Sequence, residues 1–499
     1  MKESSKDLRL ILGLKLRNLR QARSEGLREI ADRAGLSVSY LSELEQGKKY
    51  PKPDKLLRLA EALEVPFDEL VSLKVSPELG PLKQAVSSGF LREFPFELFG
   101  LEREDLVHLI AEAPGKSGAL IQSLVDIGRT YDVQVEHFLL SALRAYQQMN
   151  ANYFDDLERA AADFRRDQGW LPGDTAEESV LRYLLESRWG YSVDTATIGD
   201  HPDLGGFRSV FVQGRHPILY VNGRLLPAQR AFILAREIGY RSLELKERAA
   251  TSSWLQIESF AQVLNNFKAS YFAGALLIDR DSLGSELEQL FSLTTWDSQR
   301  LLDCMVRYQA TPEMFFYRLT ELVPQRFGLE KLFFLRFHWR EDPRGVALTK
   351  VFNLSGVSVP YGVGLKEHYC RRWPGLILVT DPTRVHGAAV GIEVQRSRFL
   401  NEDVEFFVIA LGRALTLDTS ARTSVSLGFL MDEKFRKTAR FWDDPAVCRV
   451  DVNLTCERCA LSRQDCPQRV AEPAVHHHEL EQLQKERALA ELAASSQLV

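Results

Sequence analysis

Few folds suit the stretch from Leu27 to Gly47, which reads Leu-Arg-Glu-Ile-Ala-Asp-Arg-Ala-Gly-Leu-Ser-Val-Ser-Tyr-Leu-Ser-Glu-Leu-Glu-Gln-Gly. Ile30 and Ala31 share one face of a short helix, and Gly35 supplies a residue that turns without steric cost. Ser37 suits the N-cap of a second helix whose Leu41 and Leu44 pack back on the first. Two short helices joined in this way leave Val38, Ser39, Tyr40, Ser42 and Glu43 at the start of a recognition helix, where such a unit meets base edges. Lys48, Lys49 and Lys52 follow at once, placed for phosphates. Residues 1–74 hold 15 Lys+Arg against 12 Asp+Glu, a local excess of cations in a 499-residue chain whose net charge is -5. Any nucleic-acid site is therefore local.

No apolar run approaches the ~18 residues of a membrane span, so no membrane partner is expected. The first residues, Met1 to Lys6, form no apolar signal core. Six cysteines are too few for a disulfide framework in a chain of this length. These features predict a cytoplasmic protein.

The expected organisation is multidomain α+β. An all-α helix-turn-helix domain occupies 1–72. A linker and helical region at 73–150 includes a candidate dimer surface at 101–150. Residues 151–325 mix helices with short strands at 208–213 and 218–221, turned at Asn222–Gly223. Helices at 260–278 and 301–323 follow, with a turn at Thr311–Pro312. Residues 326–430 read as a strand-rich α+β domain, with strands at 331–339, 347–352, 376–380 and 388–395 and a helix at 401–417. A cysteine-bearing region spans 431–475. The 476–499 tail reads as helical or disordered, and its His476 to His478 as solvated.

The N-terminal 65 or so residues resemble the Xre/Cro helix-turn-helix domains, down to the Leu-Glu-Gln-Gly-Lys stretch at 44–48. Arg28 stands near the Gln that opens the first motif helix in that family, and takes its place as a candidate phosphate contact. Operator DNA is the implied partner.

The helix Leu225 to Tyr240 resembles that of the ImmA/IrrE zinc peptidases, in which a His-Glu-x-x-His motif carries two metal ligands and a general base. Here the two His positions are Arg236 and Tyr240, and only Glu237 remains. The family's further acidic ligand aligns with Asn266. A zinc site needs three protein ligands, so no peptidase and no other enzyme is expected. The remaining cleft is a natural small-molecule pocket. Arg236 and Tyr240 would project into it, Phe154 would add an apolar wall, and Arg165 and Arg166 would meet anionic phosphates. The alternative is a scaffold in which Arg236 pairs with Glu237 or Glu244.

Near the C-terminus, Cys456-x-x-Cys459 and Cys466-Pro467 can close around one metal centre, with Cys448 as a possible fourth thiolate. Four thiolates suit zinc or an iron–sulfur cluster, and the spacing does not choose between them. Cys304 and Cys370 read as core or pocket residues. The whole order of parts, with Cys370-Arg-Arg-Trp373 and Cys456-Glu-Arg-Cys459…Asp465-Cys-Pro-Gln-Arg469, resembles the short-chain fatty-acyl regulators of the RamB/PrpR type. The 331–420 region is similar to a GAF-like sensor sheet. That resemblance implies a homodimeric transcription regulator that senses short-chain acyl-CoA, controls carbon-metabolism genes and carries an iron–sulfur cluster, [4Fe-4S], on its C-terminal cysteines. The alternatives are a zinc-stapled DNA-binding regulator without a small ligand and, from another class, a metallopeptidase.

Overall fold

The computed structural model describes residues 5–72, 135–249, 259–341, 345–359, 367–385, 389–400 and 402–496. The chain divides into two compact units, Met1–Tyr146 with Ile257–Val263, and Gln147–Gln256 with Leu264–Val499. The linker expected over 73–134 lies outside the described residues.

Among the described residues 5–72 of the first unit, five helices run α1 (Ser5–Ala22), α2 (Leu27–Ala34), α3 (Val38–Glu45), α4 (Pro53–Ala62) and α5 (Phe67–Val71). Their boundaries follow from local chemistry. The Glu29 carboxylate accepts from the Gly26 N–H at 2.7 Å and starts α2. Gly35 ends it in the left-handed region at φ 63°, where a side chain would be strained. Ser37 Oγ accepts from the Tyr40 N–H at 3.2 Å to start α3, and Pro53 occupies the first turn of α4. Leu12, Leu16, Ile30, Leu41, Leu44, Leu56, Leu59 and Leu63 form the shared core. Arg20 clamps the end of α3 to α1 through two bonds to Glu45, at 2.7 and 2.8 Å.

The second unit begins within α6 (Val135–Met149) and continues through α7 (Asp155–Asp167) and α8 (Glu178–Trp189). Next come β1 (Ser192–Asp194), α9 (Thr197–Asp200), β2 (Ser209–Val212) and β3 (Ile218–Val221), paired in the order β1-β3-β2. The Asn222 turn does more than reverse the chain. Its buried amide donates to the Gly205 and Phe207 carbonyls, both at 3.0 Å, and fixes the approach to β2. Helices α10 (Pro227–Ser242), α11 (Phe260–Leu277), α12 (Arg280–Phe291), α13 (Ser298–Arg307) and α14 (Pro312–Phe327) follow. Asp279, Asp297 and Thr311 cap the last three.

A six-stranded sheet completes the unit: β4 (Leu332–Trp339), β5 (Val346–Asn353), β6 (Gly391–Phe399), β7 (Val404–Ala414), β8 (Arg422–Leu430) and β9 (Arg449–Val452). The order is β5-β4-β8-β7-β6-β9, antiparallel except that β9 runs parallel to β6. Two expectations fail here. The segment 401–417 is not a helix but contains β7, the longest strand. Both of its faces are buried, Phe407, Ile409 and Leu411 on one and Phe406 and Val408 on the other. A strand apolar on both faces loses the alternation that marks strands in sequence. Conversely, 376–380 is not a strand. It lies in α15 (Pro374–Thr380), where Pro374 opens the helix. That helix lies close against β7, and a side chain at Gly412 would come within 2.9 Å of Leu378 Cβ.

The expected borders at 325 and 430 do not separate cores. One apolar cluster runs from Ala161 through Phe316 and Phe407 to Val447. The cysteine region supplies β9 to the same sheet, after α16 (Glu433–Thr438). The tail is helical, α17 (Ala474–Ser496), with Leu480, Leu483 and Leu489 exposed. Among the described residues no helix is long and apolar enough to cross a membrane.

Candidate functional site

The side of the first unit that carries the candidate DNA contacts begins with α3. Val38 is 42% exposed, which is unusual for an apolar side chain beside a packed core, and Ser39 is exposed beside it. The Tyr40 ring is half-buried because the Lys55 ammonium sits over it at 4.0 Å, a cation–π contact that holds the phenol upright. Ser42 accepts from the Gln46 amide at 3.0 Å, so its hydroxyl is partly engaged. Lys49 pairs with Glu43 at 2.7 Å. Arg28, Lys48 and Lys52 are exposed. The sequence reading missed Lys55, which lies on α4 beyond the motif.

In the second unit, the degenerate metal helix keeps its positions but not its chemistry. Glu237 is fully buried, and Arg248 donates to its two oxygens at 2.7 and 2.6 Å. The Arg248 guanidinium stacks 3.6 Å from the Phe211 ring and 4.3 Å from Tyr240. Burial is the largest influence and lowers its pKa, but the bond and charge of Glu237, with Tyr240 and Tyr191, together outweigh it and raise the pKa. Tyr240 and Asn266 meet at 3.4 Å. The three aligned positions do converge, but around an internal guanidinium. A glutamate held in this way is not a free general base.

A cleft of about 190 Å³ opens beside this cluster. Arg236 lines it, as expected. Among the described residues it forms no ion pair with Glu237 or Glu244; its Nη2 donates to Ser209 Oγ at 3.3 Å, and its buried Nε has no partner. The other four expected ligand residues do not line it. Arg165 is buried and donates to the carbonyls of Leu276 (2.7 Å), Leu171 (3.0 Å) and Asp174 (2.9 Å), so it fastens the end of α7. Arg166 is exposed and pairs with Asp163 on its own helix. Tyr240 lies under Arg248. Phe154 stands behind the wall, edge-on to Phe267 at 5.2 Å and Tyr271 at 5.6 Å, both of which line the cleft. At the cleft's deep end, Arg318 donates to both Glu158 oxygens (2.5 and 2.9 Å) and to Glu321 (2.9 Å).

At the C-terminal cysteines, Cys448 is exposed. Cys370 belongs to a core cluster with Phe333 and Trp373, as expected of a core residue. Its segment also pairs with the one that carries Cys456: the Cys370 N–H donates to the Leu454 carbonyl at 3.2 Å, and the Cys456 N–H donates to His368 O at 2.8 Å. Burial pushes the Cys370 thiol up to about 12, and Cys459 and Cys456 add to the rise. Cys456 and Cys459 act on Cys466 in the same way, after burial. Cys370, Cys456, Cys459 and Cys466 are all buried. Arginines surround them: Arg469 donates to the Cys456 carbonyl at 2.8 Å, and the Nε atoms of Arg371 and Arg372 are buried without partners. Orphaned guanidinium nitrogens beside buried thiols fit a negatively charged thiolate centre. Among the described residues no three His, Cys, Asp or Glu groups stand at the spacing of one ion, so no single-ion cage is preformed.

A capped three-residue turn, a packed second helix and an exposed leading face define a helix-turn-helix DNA-binding protein. Comparison with known proteins agrees. Residues 11–73 match the helix-turn-helix domain family, and residues 200–320 match the IrrE N-terminal-like domain. The chain is 38% identical over 66 residues to the uncharacterized HTH-type transcriptional regulator y4dJ of Sinorhizobium fredii, covering 13% of this chain and 86% of that one. It is 39% identical over 60 residues to transcriptional regulator ClgR of Mycobacterium tuberculosis, covering 12% of this chain and 54% of that one. With the HTH-type transcriptional regulator PrpR of M. tuberculosis it shares 25% identity over 305 residues, 56% of this chain and 59% of PrpR. The matches thus span between half and two thirds of the length of ClgR and PrpR. The chain belongs to the HTH-type transcriptional regulators and joins an Xre-type domain to an IrrE-like one.

Proposed function

We propose that this DNA-binding regulator is governed by two inputs, a short-chain acyl-CoA held in the cleft of the second unit and an iron–sulfur cluster held by Cys370, Cys456, Cys459 and Cys466. Its targets are genes of short-chain acyl and carbon metabolism. A homodimer presents two α3 helices to successive major grooves, with Val38, Ser39 and Tyr40 at base edges and Arg28, Lys48, Lys49 and Lys52 at phosphates. Each input acts by binding the DNA-competent and DNA-incompetent arrangements with different affinity.

What supports the reading is that Cys370 lies within electrostatic reach of Cys456 and Cys459, and Cys466 of the same two, with Arg371, Arg372 and Arg469 around them. Four thiolates are the donor set of a [4Fe-4S] cluster. Bound, such a cluster supplies a one-electron redox couple. The chain's own residues hold its ligands on two backbone-paired segments and offset its charge through Arg371, Arg372 and Arg469.

The test is anaerobic purification, followed by visible absorption and iron, sulfide and zinc analysis, then operator binding with and without oxidant and acyl-CoA. A brown protein with matching iron and sulfide supports the reading. A colourless protein with one zinc per chain favours a second one, a zinc-stapled regulator, in which the same thiols serve only as a structural tie. Operator affinity indifferent to both oxidant and acyl-CoA rejects the sensing reading altogether.

A further inference from the structure

The cleft gathers more positive charge than its own carboxylates can offset. Arg208 precedes β2, Arg236 lies on α10, Arg336 on β4, Lys350 on β5 and Arg413 on β7; Glu313 of α14 serves all of these but Arg236, on which the acting carboxylate is Glu237, already held by Arg248, while Glu321, which also lines the cleft, is taken by Arg318. Glu313 accepts from Arg336 at 2.7 Å and lies 3.6 Å from Lys350. Lys350 rests 3.6 Å from the Tyr317 ring. That leaves three arginines. Arg413 reaches only neutral acceptors, the Ala414 carbonyl at 3.2 Å and Thr416 Oγ1 at 2.9 Å. Arg236 makes its one 3.3 Å bond to Ser209. Arg208 is exposed, and no described residue pairs with it.

Their mutual field is visible on neighbouring groups. Burial pushes His338 down to about 4, with Arg336 and Arg208 adding to the shift. Against its burial, Arg336, Lys350 and Arg208 hold Glu313 well below the usual carboxylate range. Arginine cannot relieve such crowding by losing its proton. Guanidinium groups crowded together with spare N–H donors are stabilised by an oxyanion, which accepts two parallel bonds from each. Below the arginines the cleft is apolar, walled by Phe232, Ile233, Phe267 and Met314.

We infer that Arg208, Arg236 and Arg413 form an anion-binding site that grips a phosphate or carboxylate group of a small ligand, whose apolar part lies against Phe232, Ile233 and Phe267. The site deepens the acyl-CoA reading and rests on it for the ligand's identity, but it moves the anion contacts away from Arg165 and Arg166. It also joins two parts of the fold. Arg208 and Arg236 belong to the IrrE-like part and Arg413 to the large sheet, so one oxyanion ties them together.

The experiment uses the full chain, with thermal unfolding and calorimetric titration against three probes: propionyl-CoA, inorganic pyrophosphate, and S-propionyl pantetheine, which has no phosphate. The expected result is that propionyl-CoA and pyrophosphate bind and raise the melting temperature. Arg208→Glu should weaken both by about tenfold or more, and Arg208→Gln by less. Arg166→Glu, exposed on α7, should bind as the parent does. Pyrophosphate binding that depends on Arg208, with no binding of either propionyl probe, supports the anion site and overturns the acyl-CoA reading. Propionyl-CoA binding that is unchanged in Arg208→Glu overturns the anion site and leaves the acyl-CoA reading standing. If no probe binds, both fall.

Discussion

Arg248 holds Glu237 by two hydrogen bonds, 2.7 and 2.6 Å long, at a site with no access to water for the carboxylate. In the peptidase pattern that glutamate sits beside a metal ion. Here an arginine from the following loop brings the positive charge, and the helix keeps its buried acid without a metal.

Arg248→Ala should therefore be among the more damaging single changes in the second unit. It leaves a buried carboxylate with no counter-charge, at a cost of about 3–5 kcal/mol. The double variant Glu237→Gln with Arg248→Met should recover much of that loss. Urea denaturation followed by tryptophan fluorescence measures both. Equal damage in the single and double variants would mean that the packing on Phe211 and Tyr240, not the charge, is what matters.

The cysteines separate cleanly by position. Cys370→Ser should abolish or sharply reduce bound metal, whereas Cys448→Ser should leave it unchanged, since that thiol is exposed. Metal analysis of the two anaerobically purified variants decides it. The reverse pattern restores Cys448 as the fourth ligand.

The second unit should lose stability as pH rises through 8. Burial pushes Glu321 up to about 8 from 4.5, with the charge of Glu158 adding to the rise, although Arg318, bonded to it at 2.9 Å, works the other way. The folded state thus holds a proton that the unfolded state has released between those values. The stabilisation is complete below 4.5 and gone above 8. Lys350, pushed down to about 8 by burial, gives the opposite slope, but only above that pH. His338, pushed down to about 4 from 6.5, also gives the opposite slope, but only below 6.5. Melting curves over roughly pH 6.5 to 8 should therefore slope downward for the parent and flatten for Glu321→Gln. A slope that survives the substitution assigns the effect to another group.

On the DNA side, Lys48→Ala and Lys52→Ala should each weaken binding to all sequences alike and reduce the salt dependence of log K by about 1. Ser37→Ala removes the cap of α3 and should cost about 1 kcal/mol of stability in the first unit. Binding isotherms at several salt concentrations and a thermal melt check the two. A change in sequence preference with Lys48→Ala would place that side chain at a base instead.

The first unit was legible because its signals are local. Gly35, Ser37 and the Leu41–Leu44 spacing each act within a turn of their position. The second unit was legible where helices begin at Pro227 or Pro312. It was misread at β7, whose two apolar faces erase the period of two. Cys370 escaped because its partners lie beyond four intervening strands, β6 to β9, and only pairing of the segments at 368–370 and 454–456 brings them near. Arg248 and Arg208 sit in connections, and Lys350 and Arg413 on separate strands, so no spacing rule could assemble them. The Arg371-Arg372 pair after Cys370 was the one hint within reach, two cations beside a thiol.

β9 is short, yet it covers one border of the large sheet by pairing with Arg396–Phe399 of β6. An uncovered strand border is a template for other chains. The segment that provides this cover continues directly into Cys456. Anything that loosens the cysteine centre therefore also threatens to bare β6, and damage there would show first as self-association and loss of solubility, before any change in the N-terminal helices.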